Sequence, residues 1–181
     1  DLENIVLIFD EVQCGIGRSG HFFAYQHYNL KPDIVAFAKG VAGGVPMGGI
    51  IANNKVSSAF TPGTHASTFG ANPLATAASC YVLKKIGDPA FLKNVSEMGL
   101  YLRNGLEKLR SSCTQIVDIR GMGLMLGIEI KGDVGQIVNQ AMNKGLLIVG
   151  AGNATIRLVP PLIVTKDEID QAIFILKSCI H

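Results

Sequence analysis

Ile5-Val6-Leu7-Ile8-Phe9 runs straight into Asp10-Glu11, and Ile34-Val35-Ala36-Phe37-Ala38 runs straight into Lys39-Gly40. Neither apolar run alternates with polar residues, so neither suits a sheet with one wet face. Short uninterrupted runs of this kind fit parallel strands covered by helices on both sides. Each run ends on charged residues, and in open α/β sheets ligands gather beyond the carboxyl ends of the parallel strands. Met47 to Ala52 reads as a third strand of the same kind, preceded by the flexible Gly43-Gly44-Val45-Pro46. Between the first two runs lies a loop, Gly15 to Pro32, with a short aromatic and helical stretch around Phe22 to Tyr28.

Beyond Pro73 the period changes. Leu74, Ala77, Ala78, Tyr81, Val82 and Ile86 recur at helical spacing, and Pro73 suits a first helical turn. A second helical pattern covers Pro89 to Leu109. Ile116 to Ile119 and Leu124 to Ile130 read as strands around a turn at Gly121 and Gly123, and Gly135 to Lys144 as a helix. Leu146 to Val149 and Thr155 to Val159 read as strands, and Lys166 to Ser178 as a closing helix. The order is strands with polar ends, then long helices, then a compact α+β unit, with the division around residues 90–110. The fold class is α/β: part of a large, mostly parallel domain over 1–95, followed by a small α+β domain over 96–181.

Composition narrows the function. Of the 181 residues, 16 are Lys or Arg and 14 are Asp or Glu, a net charge of +2 with no basic run. Nucleic acid and membrane surfaces are therefore poor partners, and no apolar stretch is long enough to span a bilayer. The four cysteines form no CxxC pair. With no signal peptide in evidence, the expectation is a cytoplasmic protein whose thiols serve as small core hydrophobes. The chain enters an apolar strand almost at once and has no initiator Met, which reads as a fragment of something longer.

Asp10 and Lys39 are the residues to which chemistry attaches. Singly, the first suits a turn cap and the second an exposed strand end. Together, a carboxylate and an amine held by rigid strands at one crevice are what pyridoxal phosphate requires: an amine for the Schiff base, and a carboxylate to keep the pyridine nitrogen protonated. Gln13 follows Asp10 closely enough to reach the same ligand. Glu11 should point away from Asp10 if the strand continues, so the two are not read as an acid/base pair. Gly15-Ile16-Gly17-Arg18-Ser19-Gly20 matches the dinucleotide pattern but opens no helix, and reads instead as tight turns. Ser67-Thr68 precede the helix at Pro73, where free N–H groups favour a phosphate, or where an ordinary cap would sit. Arg157, among Ile156, Leu158 and Val159, needs an anion, from the protein or from a substrate. Arg120, at a glycine turn, suits a structural ion pair. His27 and His65 are isolated, so no metal is expected.

The ordered set Phe9-Asp10-Glu11-Val12-Gln13, Gly17-Arg18, Lys31-Pro32-Asp33-Ile34, Ala38-Lys39-Gly40, Gly44-Val45-Pro46-Met47-Gly48 and Ser67-Thr68-Phe69-Gly70-Ala71-Asn72-Pro73 resembles the class III aminotransferases of fold type I. Arg120-Gly121-Met122-Gly123 and Arg157-Leu158-Val159-Pro160-Pro161 continue the resemblance through the small domain. The resemblance implies pyridoxal 5'-phosphate as cofactor, with Lys39 its Schiff-base lysine and Asp10 the partner of its pyridine nitrogen. It implies Gln13 near the phenolic oxygen and Thr68 on the phosphate across a homodimer interface. Ser67 would line the substrate pocket, and Arg157 would hold a substrate α-carboxylate. Ala71 stands where the family more often has Gly. Thr64 to Phe69 is similar to members that transfer the ω-amino group of N-acetylornithine to 2-oxoglutarate, in arginine biosynthesis. The substrates implied are thus an amino acid and a 2-oxo acid. Ornithine, succinylornithine or 4-aminobutyrate as donor, or an inactive chain lacking the upstream half that relatives carry, remain as alternatives.

Overall fold

The computed structural model describes residues 5–180. It has an α/β fold in two compact units, which divide between Leu92 and Lys93.

The first unit holds a three-stranded sheet in the order β1 (Ile8–Asp10), β2 (Ile34–Phe37), β3 (Gly49–Ala52). A one-turn helix α1 (Asn54–Ser57) and the helix α2 (Pro73–Ile86) follow. β1 and β2 run parallel, with Asp10 opposite Ala36. β3 is antiparallel to β2, with Phe37 opposite Gly49, which corrects the expectation of a third parallel strand. The reason lies in the link: residues 38–48 contain a 3-10 turn, Lys39–Ala42, and no crossover helix, which a parallel return would need.

β1 is also shorter than its apolar run, and that run is not covered. Ile5 is 67% and Ile8 57% exposed, against 5% for Val35 in the central strand. Strand pairing before Ile8 gives way to a side chain. Asp33 Oδ2 accepts the Leu7 N–H at 2.8 Å, while the Leu7 carbonyl accepts the N–H groups of Asp33 and Ile34. Asp33 Oδ1 accepts from the Asn53 amide at 2.7 Å, so one carboxylate ties the start of β1 to the end of β3.

The second unit comprises α3 (Pro89–Ser112), β4 (Ile116–Met122), β5 (Met125–Ile130), α4 (Val134–Asn143), β6 (Val149–Ala151), β7 (Thr155–Leu158) and α5 (Lys166–Lys177). Its sheet is antiparallel throughout, in the order β4-β5-β7-β6. One face carries Ile119, Leu126, Ile128, Ile156 and Leu158, which form the core with Leu102, Leu106, Ile169 and Leu176 of the helices. β6 lies later than the apolar run Leu146 to Val149 suggests, and Leu147 is 83% exposed. The β4–β5 reversal is at Gly123-Leu124, with Gly121 inside β4 at φ 126°. A side chain at Gly99 of α3 would collide with the Gly123 backbone, so that helix lies directly on the turn.

Of the four unpaired cysteines, only Cys179 is buried in the core; Cys80 is exposed on α2. Among the described residues no helix is long and apolar enough to cross a membrane.

Candidate active site

β1 and β2 deliver Asp10 and Lys39 to the same end of the parallel pair. Asp10 is the last residue of β1, and Lys39 follows Phe37, the last of β2, after Ala38. Asp10 pairs with Ala36, three residues before Lys39, so both residues lie at the same carboxyl edge of the parallel pair. Asp10 Oδ1 accepts the Val12 N–H at 3.0 Å, an Asx turn that fixes the carboxylate at the strand exit. Gln13 sits in the same turn, half-buried.

Lys39 occupies the left-handed region, at φ 49°. A non-glycine residue pays about 1–2 kcal/mol there, and such strain collects at functional positions. What holds it is the turn it begins: Val41 and Ala42 are 0% and 2% exposed, and Gly43 closes the turn at φ 62°. α2 packs against this turn, with Val82 against Gly43. Lys39 itself is exposed. An accessible amine and an accessible carboxylate, both fixed by backbone, fit a ligand that needs covalent capture at one atom and a negative partner at another.

Glu11 turns the opposite way, as strand alternation requires, and is 3% exposed. Its Oε1 accepts the Tyr25 N–H at 2.8 Å; its Oε2 accepts the Ala24 N–H at 2.9 Å and the Cys14 thiol at 3.3 Å. Burial first, and the Glu11 hydrogen bond second, push the Cys14 thiol up to about 11, so it serves as a donor rather than a nucleophile. The chain between makes turns through Ile16 (φ 53°), Gly17 (φ 82°) and Gly20 (φ 91°) and opens no helix that could cradle a dinucleotide. Sequence reasoning treated Glu11 only as a residue facing away; nothing in one sequence marks a carboxylate as a buried anchor.

Ser67 and Thr68 lie on an exposed stretch ahead of α2. Neither caps the helix. Asn72 does, its side chain accepting the Ala75 N–H at 2.9 Å, a role that Asn before Pro could have signalled. Ala71 sits at φ 54°, the conformation that favours glycine.

In the second unit, Arg157 is central in the sheet, opposite Gly127 of β5 and Val149 of β6. The apolar residues beside it in sequence, Ile156 and Leu158, face the core on the other side of the sheet, and Arg157 Nε is itself shielded from solvent. Arg157 is half-buried on the polar face, one row from Thr155 and Glu129. It also lines a cavity of about 670 Å³ with Leu147, Ile148, Pro160, Ile163 and Glu168. Arg120, on the same face, bonds Glu129 at 2.6 Å, Asp118 at 3.3 Å and Thr155 Oγ1 at 2.9 Å. These carboxylates, Glu129 foremost, raise its pKa, as a structural ion pair would.

An exposed amine and an exposed carboxylate thus stand at the ends of adjacent parallel strands. The family model for aminotransferase class-III matches residues 1–180, and the chain belongs to that family. It is 47% identical over 174 residues to an acetylornithine aminotransferase of Streptococcus mutans, covering 96% of this chain and 46% of the relative. A second, from Caldanaerobacter subterraneus, is 48% identical over 177 residues, covering 97% of this chain and 45% of the relative. Among solved structures, an ornithine aminotransferase from Plasmodium yoelii superposes with a TM-score of 0.90 at 32% identity, over 97% of this chain and 48% of its own. An N-acetylornithine aminotransferase from Stenotrophomonas maltophilia gives 0.89 at 33%, over 99% and 48%. The chain spans about half the length of the curated relatives it matches.

Proposed function

We propose that the protein moves the ω-amino group of N-acetylornithine to 2-oxoglutarate with pyridoxal phosphate, as a cytoplasmic enzyme of arginine biosynthesis. The observation that carries this reading is the pair Asp10 and Lys39 at adjacent parallel strand ends; the named relatives supply the substrate. Pyridoxal phosphate, when bound, supplies an aldehyde carbon for the amino group and a ring that delocalises the electrons left by the departing proton. Lys39 holds the cofactor covalently. Its amine, when free, would serve as the base and acid that moves a proton at the substrate carbon. Asp10 would keep a proton on the pyridine nitrogen, and Gln13 would hydrogen-bond the phenolic oxygen. Thr68 binds the phosphate and Ser67 lines the pocket of a second copy in a homodimer, a role their exposure suits. Arg157 receives the substrate α-carboxylate as a bidentate partner.

On this reading residues 1–95 belong to the large domain of fold type I and 96–181 form the small domain. Turnover belongs to the protein at the length of its relatives, and residues 1–181 alone are inactive. The test is borohydride reduction of the holoenzyme followed by peptide mass spectrometry: a pyridoxyl group on Lys39 is expected, and its placement on another lysine overturns the assignment. Ornithine as donor is the second reading, favoured by the ornithine aminotransferase structures. A kcat/KM for ornithine above that for N-acetylornithine would select it.

A further inference from the structure

We infer that Glu11 is a positioning residue, which fixes the Asp10 carboxylate toward the pyridine nitrogen of the cofactor and the Gln13 amide toward its phenolic oxygen. The inference rests on the cofactor reading above and adds to it a residue that never touches the ligand.

The turn carrying Asp10 and Gln13 has no regular structure of its own. β1 stops at Asp10, and the last ladder bond is the Glu11 N–H to the Ala36 carbonyl at 2.8 Å. Beyond it the backbone is held by Glu11 twice. Its carbonyl accepts the Gly15 N–H at 3.0 Å, and its carboxylate reaches across the loop to the N–H groups of Ala24 and Tyr25. Those two N–H groups open the 3-10 turn Ala24–Tyr28, and Tyr25 lies against Phe9 of β1 and Phe23, with Phe23 against Phe37 of β2. These rings link the 3-10 turn to both strands, and Glu11 is the strut between that cluster and the strand exit.

Space is as constrained as bonding. A side chain at Gly15 would meet the Glu11 carbonyl at 2.8 Å and its Oε2 at 3.1 Å. Successive strand residues face opposite ways, so a backbone rotation that carries Glu11 out of its place also turns Asp10. A purely structural Glu11 would affect folding and leave the proton on the cofactor nitrogen alone. A positioning Glu11 shifts that proton.

The experiment reads the ¹⁵N resonance of bound [¹⁵N]pyridoxal phosphate in the holoenzyme, together with kcat. Glu11→Gln keeps the volume but offers an NH₂ where an acceptor is needed. It should move the resonance from the pyridinium toward the neutral-pyridine position and lower kcat about tenfold, the loss expected for one hydrogen bond to a charged group. Should Glu11→Gln not fold, Ala24→Pro deletes one N–H donor and leaves the carboxylate intact. Phe23, at φ −121° and ψ 143°, already has the conformation that precedes proline, and position 24 is a first helical position that accepts it. It should move the resonance in the same direction. An unmoved resonance in whichever of the two folds overturns the inference. Asp10→Asn separates the two levels: if it too leaves the resonance unmoved, the cofactor reading has failed, and if it alone moves it, only the role of Glu11 has.

Discussion

Lys39 and Arg157 carry opposite kinds of risk. Lys39 is exposed, so its removal should leave the fold and remove the chemistry. Lys39→Ala in the holoenzyme should still bind pyridoxal phosphate reversibly, while kcat falls by several orders of magnitude; near-normal turnover would end the assignment. Arg157 sits within a sheet that also carries an ion-paired arginine, and its role divides on a single substitution. Arg157→Lys keeps the charge and loses the planar fork, about 1.5–3 kcal/mol against a carboxylate. KM for 2-oxoglutarate should therefore rise roughly tenfold to a few hundredfold, with the melting temperature nearly unchanged. A falling melting temperature at constant KM would make the arginine structural. Sequence singles out both residues as candidates by type and setting. Strand alternation puts Ile156 and Leu158 on the face opposite the guanidinium, but a sequence alone does not say which anion meets it.

At the scale of elements, the parallel pair and the helices were legible because their apolar periods are long and clean. The direction of β3 was not. It depends on what fits between Ala38 and Gly48, and a 3-10 turn closed by a left-handed glycine leaves little mark in the sequence. Ile5 to Ile8 are exposed among the described residues: apolar character states a demand for cover, and only partner elements can meet it. Ala71 was noted as a departure from the family, and its φ of 54° says what the departure costs. Ala71→Gly should raise stability by about 0.5–1 kcal/mol, strain relief offset in part by the entropy of the unfolded chain, as read by urea midpoints. Asp33 is an element-level tie that sequence alone did not single out. The Leu7 N–H first, and the Asn53 amide second, lower its pKa below the usual 3.8. A lowered folded-state value means the contribution is fully present above about 3.8 and is lost as pH falls through the folded pKa. Wild type should therefore exceed Asp33→Asn in stability at neutral pH, and the gap should close as the pH drops below that range. A gap that is constant with pH would show that the carboxylate's charge is not what matters.

Over the whole molecule, the first unit displays much apolar surface: Ile8 is 57%, Ile51 52%, Leu74 72% and Tyr81 65% exposed, and among the described residues β1 pairs with β2 alone. Such surface marks an interaction site or an aggregation hazard. Residues 1–181 produced alone should bind a hydrophobic dye strongly and self-associate, and Ile8→Lys should weaken both; a monodisperse, dye-silent chain would contradict this. The left-handed backbone at Lys39 has a consequence of a different order. Selection for stability alone would put glycine at position 39, since glycine adopts φ 49° without a steric penalty and lysine does not. A copy of this protein released from its chemistry should drift toward Gly or Asn at this one position. Retention of lysine there in a sequence of unknown activity is then a sign that turnover is still under selection.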